Sequence, residues 1–200
     1  MKFVLATNNL DKIKEMKEIL PGLGIEFVTR ADVGIDVEIE ETGTTFEENA
    51  LLKANAICAL SGLPAIADDS GLMVDALGGE PGVYTSTFGG NGLSGVERCV
   101  YLLKKLSGIS NRNAKFVCMI VCVFPDGDVI TAQGERSGTI ADEPRGSRGF
   151  GYDPVFIADG YSKTMAELAP EEKNAISHRG VALKNFSMLL QKRGINSLIG

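Results

Sequence analysis

Two acidic sets in the sequence have the make-up of a metal-dependent hydrolytic site. Asp68 and Asp69 follow the apolar run "LPAIA", and Glu38, Glu40 and Glu41 precede a Thr-Gly turn at Thr42 and Gly43. Carboxylates held close together with few cations repel each other, and the pKa of one of them rises. A hard divalent cation relieves that repulsion. Mg2+ takes one or two protein carboxylates and leaves its other positions to water and substrate phosphate. A carboxylate left free then serves as general base toward a water molecule. "LPAIA" reads as a strand that ends at the acids. Consecutive strand side chains face opposite ways, so Asp68 and Asp69 are expected to do different jobs. Gly71, Gly78, Gly79 and Gly82 follow, and give the backbone freedom for tight turns or close approach to a ligand.

A phosphate-binding candidate lies near the start of the chain. In "ATNNLDK" a strand ends, Thr7, Asn8 and Asn9 turn, and a helix begins. Unpaired N–H groups and the positive end of the helix dipole converge at such a turn, which suits an anion. Lys12 falls on the first helical turn, within reach of the same anion. A third group comprises "RGFGYDPVF" (148–156) and "EEKNAISHRG" (171–180). Phe150, between two glycines, is placed for stacking on a nucleobase, which is worth roughly 1–3 kcal/mol per base. Lys173, His178 and Arg179 supply donors, and Ser177 stands at an expected helix start. Each group alone has an ordinary structural reading: an Asn-capped turn, a solvated acidic edge, a core Phe beside a capped helix. Taken together they fit one ligand, a nucleoside triphosphate with Mg2+.

These residues need a scaffold of alternating strands and helices. Strands are expected at "KFVLA", "IEFVT", "LPAIA" and "PVFIA", with helices over 10–20, 44–62, 95–108 and 178–194. The first helix is expected to stop at Pro21-Gly22. The second opens with a T-x-x-E capping box at Thr45 and Glu48 and closes at Gly62. "AKFVCMIVCVF" and "VITAQGERSGTI", joined by "PDGD", read as an antiparallel hairpin. The class is therefore α/β with a mixed sheet flanked by helices, in a single domain over residues 1–200. The charge balance, 20 Lys plus Arg against 26 Asp plus Glu, argues against a nucleic-acid or anionic-membrane binder. No apolar run approaches the roughly 20 residues of a membrane span, and the N-terminus is a poor signal peptide. Cys58, Cys99, Cys118 and Cys122 form no CxxC, and His178 is the lone imidazole. A zinc site is thus disfavoured, and reduced core thiols in the cytoplasm are expected.

The blocks "TNNLDK", "EETGTTFEENALLKA", "ADDSGLMVDALGGEPGVYT", "PRGSRGFGYDPVF" and "EEKNAISHRGVAL" resemble the inosine triphosphatase family, pyrophosphatases of non-standard purine nucleoside triphosphates. They occur in family order from residue 7 to residue 183. The resemblance implies hydrolysis of ITP, dITP and XTP to the monophosphate and pyrophosphate with Mg2+. It also implies an elongated α/β body of two lobes around a cleft, and a homodimer. Carried over residue by residue, it makes Asp69 the catalytic acid-base group and places the metal at Asp69 with Glu40 or Glu41. Thr7, Asn8, Asn9, Leu10, Asp11 and Lys12 would grip the phosphates. Ser70, Phe150, Gly151, Tyr152, Asp153, Lys173, His178 and Arg179 would contact substrate, with Lys53 and Asp68 as weaker assignments. His178 or Arg179 would donate to the six-oxo group that distinguishes inosine and xanthine from adenine. Two other readings fit parts of the pattern: a Maf-type pyrophosphatase of pyrimidine or methylated nucleotides, and a nucleotide-binding regulator without turnover.

Overall fold

A mixed six-stranded sheet carries Asp68 and Asp69. The computed structural model describes residues 1–20 and 25–195. Strands β1 (Lys2–Leu5), β2 (Glu26–Thr29), β3 (Ala65–Val74), β4 (Asn113–Val123), β5 (Val129–Ile140) and β6 (Phe156–Ala158) lie in the order β2-β1-β3-β4-β5-β6. β1 is parallel to β2 and β3, while β6 is antiparallel to β5. The described residues also form helices α1 (Leu10–Ile19), α2 (Phe46–Ser61), α3 (Gly95–Lys105), α4 (Pro170–Ile176) and α5 (His178–Lys192). This is the α/β class with a mixed sheet read from the sequence. The "PDGD" turn connects β4 to its neighbour β5, with Phe124 N donating to the Asp128 carbonyl at 2.9 Å.

Local signals account for most element ends. Thr45 accepts from Glu48 N at 3.1 Å while the Glu48 carboxylate accepts from Thr45 N at 3.1 Å, which closes the expected capping box on α2. Gly62 ends that helix in the left-handed conformation at φ 65°. Ser94 and Glu97 form a second box on α3. α1 ends at Ile19; the expected stop at Pro21-Gly22 lies outside the described residues. One expectation needs correction. Asp68 and Asp69 do not end a strand: β3 continues through them to Val74, because cations supplied by other elements neutralise the acids. The turn-forming glycines among those that follow, Gly78, Gly79 and Gly82, therefore shape the chain after Val74. α4, over residues for which the sequence raised no helix, opens with Pro170 at its first position.

The chain divides into two compact units, Met1–Asp69 with Cys118–Gly134 and Arg179–Gly200, and Ser70–Val117 with Glu135–His178. In the first unit two apolar layers cover the sheet. Ala50, Ala54 and Ile57 of α2 pack with Val4, Ala65, Ala67 and Val121. The other layer joins Met16 of α1 and Leu183, Phe186 and Leu190 of α5 to Phe3, Leu5, Ile66 and Ile120. Ala65 and Ala67 thus face α2, whereas Ile66 faces α1 and α5. Extending that alternation sends Asp69 toward α2 and Asp68 toward α1 and α5. The second unit has its own core, in which Leu72, Val74, Cys99, Leu102, Tyr152 and Phe156 meet. All four cysteines are free and buried, and burial pushes the Cys99 and Cys118 thiols up to about 12.

The capping box on α2 gives a first test of this architecture. Thr45→Ala removes the side-chain acceptor for Glu48 N and should cost about 1 kcal/mol, the usual value of a lost N-cap. Urea denaturation measures it as a lower midpoint at unchanged slope, and an unmoved midpoint would show that the box contributes nothing.

Candidate active site

The alternation of β3 gives its two acids opposite surroundings. Asp68, with a fully buried side chain, accepts from Arg179 Nη2 at 2.9 Å and Nε at 3.3 Å. Lys12 Nζ lies 3.0 Å from the same Oδ2 atom. Arg179, 1% exposed, also donates from Nη1 to Glu15 of α1 at 2.5 Å. Burial opposes ionisation of Asp68, but Lys12, Arg179 and Lys53 outweigh it and hold the carboxyl well below the ordinary range. Its Oδ1 atom is buried and accepts no hydrogen bond.

Asp69 meets α2 instead. Lys53 Nζ lies 3.3 Å from its Oδ1, and Asn49 Nδ2 donates to its Oδ2 at 3.4 Å. Burial pushes the Asp69 carboxyl up, Lys53 and Lys12 offset this only in part, and the charges of Glu41 and Asp68 add to the rise. Adjacent carboxylates with pKa values displaced in opposite directions are the usual mark of divided acid–base roles. Lys53 also pairs with Glu41 at 3.2 Å. Among the described residues it is Glu41, not Glu40, that the ion pairs join to this cluster. Burial disfavours the charged Lys53, yet Asp69, Asp68 and Glu41 raise its pKa, so it remains an ammonium.

The cluster suits a hard cation. In the ion pairs among the described residues, Glu15, Glu41, Asp68 and Asp69 meet Lys12, Lys53 and Arg179, four acids to three cations. The donors are carboxylate oxygens. Among the described residues no three His, Cys, Asp or Glu side chains form a closed metal cage. Mg2+ fits such a set, because it binds through one or two carboxylates and retains its waters.

The expected anion turn differs from the reading in one respect. Asn9 caps α1, its Oδ1 accepting from Asp11 N at 3.0 Å and Lys12 N at 3.2 Å, while Thr7 Oγ1 accepts from Asn9 N. Those N–H groups are thus already satisfied, and Lys12 is paired with Asp68. Asn8, Asn9, Leu10 and Asp11 are exposed, and Thr7 is half-buried.

In the second unit, Asp153 organises the segment around Phe150. Its Oδ2 accepts from Phe150 N at 2.8 Å and from Lys173 Nζ at 2.5 Å. The same ammonium lies 4.9 Å from the Phe150 ring centroid, a cation–π contact. Gly149 has φ +70°, and a Cβ there would stand 2.1 Å from Asp153 Oδ2, so only glycine fits. Cys99 donates its thiol to the Gly151 carbonyl at 3.3 Å. Tyr152 is a core residue whose hydroxyl donates to the Thr85 carbonyl at 3.2 Å. His178, 6% exposed, stacks on Phe116 with centroids 4.5 Å apart. Ser70 is half-buried.

Arg179, expected as an alternative to His178 for donating to the purine six-oxo group, is buried and donates to Asp68 and Glu15. Two residues at this site were overlooked. Glu15 reads as one more charge on an amphipathic helix. Asn49 carried a signal, since it precedes Lys53 by four residues and therefore shares its helix face.

The model of the Ham1 family matches residues 3–189. The chain belongs to the Ham1 family. Among its Ham1 relatives, the dITP/XTP pyrophosphatase of Deinococcus deserti is 50% identical over 180 residues, 90% of this chain and 85% of its own. That of Bacillus subtilis strain 168 is 47% identical over 190 residues, 94% and 96% of the two chains. The solved structure of a HAM1 protein from Coxiella burnetii superposes with a TM-score of 0.89 at 43% identity, covering 96% of this chain and 99% of that one. The activity for which the two pyrophosphatases are named is the one that the five sequence blocks imply.

Arg179 provides the test of the buried network. Arg179→Met leaves Asp68 and Glu15 buried without their shared partner, a change that typically costs about 3–5 kcal/mol. Urea denaturation should register that loss, and near-wild-type stability would show that the pairing carries no weight.

Proposed function

We propose that this Ham1-family chain hydrolyses non-standard purine nucleoside triphosphates, ITP, dITP and XTP, to the monophosphate and pyrophosphate, as a Mg2+-dependent homodimer of the cytoplasm. The carrying observation is the divided pair in β3, one acid clamped as an anion and the next held with a raised pKa beside Glu41. The names and coverage of the relatives support the substrate class. The family resemblance supports the dimer, and the absence of a helix long and apolar enough to cross a membrane among the described residues agrees with a cytoplasmic enzyme.

Asp69 and Glu41 are the residues that would hold Mg2+. When bound, the cation supplies charge neutralisation to the triphosphate. Asp69 orients a water molecule and takes its proton as the water oxygen bonds to the α-phosphorus. The bond from that phosphorus to the bridging oxygen breaks, and pyrophosphate leaves with the electron pair. Lys12, whose side chain is 15% exposed, faces the phosphates while remaining tied to Asp68. Lys53 keeps Asp69 and Glu41 in register. Phe150 and Lys173 serve the base. His178 or Arg179 is the donor for the six-oxo group, and an adenine amino group would set a second donor against it.

Two experiments test this reading. The purified protein with Mg2+ should convert ITP and XTP to monophosphate and pyrophosphate, resolved by ion exchange, with little turnover of ATP, GTP, dTTP or UTP. Under the same conditions Asp69→Asn should lower kcat by about 10²–10⁴, the usual range for a lost acid–base group, with ITP binding retained. A fully active variant moves the base role elsewhere. His178→Ala should reduce the ITP-over-ATP ratio of kcat/KM roughly tenfold to a hundredfold, the equivalent of one unmade buried hydrogen bond. An unchanged ratio removes His178 from the selectivity.

A further inference from the structure

One buried amide of α2 joins the two carboxylate-bearing segments of the first unit, and the reaction as read above does not use it. Asn49 is 3% exposed. Its Oδ1 accepts from Gly43 N at 2.7 Å, and its Nδ2 donates to Asp69 Oδ2 at 3.4 Å. Each end of the amide therefore holds a different piece of chain. Gly43 lies two residues beyond Glu41, at the end of a stretch, residues 34–43, that belongs to no helix or strand. Lys53, one turn along the same helix face, makes the parallel connection, pairing with Glu41 and with Asp69 Oδ1. Asp69 thus has a donor from α2 on each of its oxygens.

Packing does not require an asparagine here. Ala50, Ala54 and Ile57 make the apolar contact between α2 and the sheet, and a primary amide is costly to bury unless both ends are paired. A second, independent feature points to the same contact. A Cβ on Gly43 would stand 2.6 Å from Glu48 Cβ, 2.7 Å from Asn49 Oδ1 and 3.0 Å from Asn49 N. The chain has no side chain where one would push Asn49 away. Gly43 has an ordinary negative-side backbone and is absent from the positive-φ glycines, so close approach, not conformation, is what demands glycine there.

We infer that Asn49 is a positioning residue for the hydrolysis, fixing the Glu41 segment and the Asp69 carboxylate at a set separation. This rests on the proposal that Asp69 is the base and Glu41 its partner at the metal. Asn49 does not act on the nucleotide. Its loss should therefore reach kcat and the metal requirement before it reaches substrate affinity.

The test is steady-state ITP hydrolysis over a range of Mg2+ by Asn49→Ala, Asn49→Asp, Gly43→Ala and the Gly43→Ala/Asn49→Ala double variant, beside Asp69→Asn. Misplacing a catalytic group by about 1 Å costs about 10²-fold in rate, and that is the expected fall in kcat. KM for ITP should stay within about threefold, the pattern of an interaction that matters to the transition state alone. The Mg2+ concentration for half-maximal rate should rise. Asn49→Asp keeps the shape but loses the donor, so it should fall as far as Asn49→Ala; full activity in it would reduce Asn49 to a space-filler and overturn the inference. It also keeps the inference testable if the alanine variant does not fold. The double variant should be no worse than the poorer single one, because both break one contact. Multiplying losses, or a raised KM at unchanged kcat, would overturn the inference. An active Asp69→Asn enzyme would overturn the base assignment and this inference with it. Inactive Asp69→Asn beside Asn49 variants of normal kcat would overturn this inference alone.

Discussion

The first unit depends on the neutralisation of Asp68 in the interior of β3. A carboxylate with no exposed side-chain surface is expensive to keep charged unless partners replace its water. Those partners come from distant parts of the chain: Lys12 from α1 and Arg179 from α5. Arg179 is in turn held by Glu15, one helical turn beyond Lys12. The ion pairs therefore fasten both helices of one sheet face to the central strand at a single point. Arg179 sits at the middle of the chain of pairs, joining Glu15 of α1 to Asp68 of β3, so its removal takes one cation from each of two buried carboxylates.

That clamp has a consequence for the neighbouring residue. A strand cannot rotate one side chain without its neighbours, so fixing Asp68 toward α1 and α5 fixes Asp69 toward α2. There its ion pair is with Lys53, a cation shared with Glu41. Burial without full compensation raises the Asp69 pKa, the property that a base needs. Two identical side chains, adjacent in sequence, thus acquire opposite chemistry from the alternation of a strand and the unequal supply of cations on its two faces. The excess of acids over cations in these ion pairs also suits a hard divalent cation.

Much of this was legible in the sequence, and the part that was not has a common cause. The capping box at Thr45, the helix-ending Gly62 and the apolar periods of α2 and α5 are local signals, and local signals place local elements. The end of β3 was misread because two adjacent acids look like a strand terminator when their cations, 56 and 111 positions away in the case of Lys12 and Arg179, are out of view. The partners that Arg179 finds in Asp68 and Glu15 were out of view for the same reason: a sequence shows a donor but not its partners. Asn9 was legible as a cap, yet the cap and an anion compete for the same N–H groups. α4 was hidden by its brevity and its run of charged residues, while its opening proline was available as a signal.

Both units solve one further problem alike. Segments outside helices and strands have no ladder of backbone hydrogen bonds to fix them. In the first unit Asn49 accepts from Gly43 N, and in the second Asp153 accepts from Phe150 N. In each case a buried polar side chain takes a loop N–H and holds a second polar group with its remaining capacity: Asp69 for Asn49, Lys173 for Asp153. In each case the loop contributes a glycine, Gly43 or Gly149, where a Cβ would collide with that acceptor. The anchor requires the glycine because the acceptor must come within hydrogen-bonding distance of the backbone itself. A glycine paired with a buried Asn or Asp a few residues on is thus a physical mark of a held loop, distinct from a glycine that merely permits a turn.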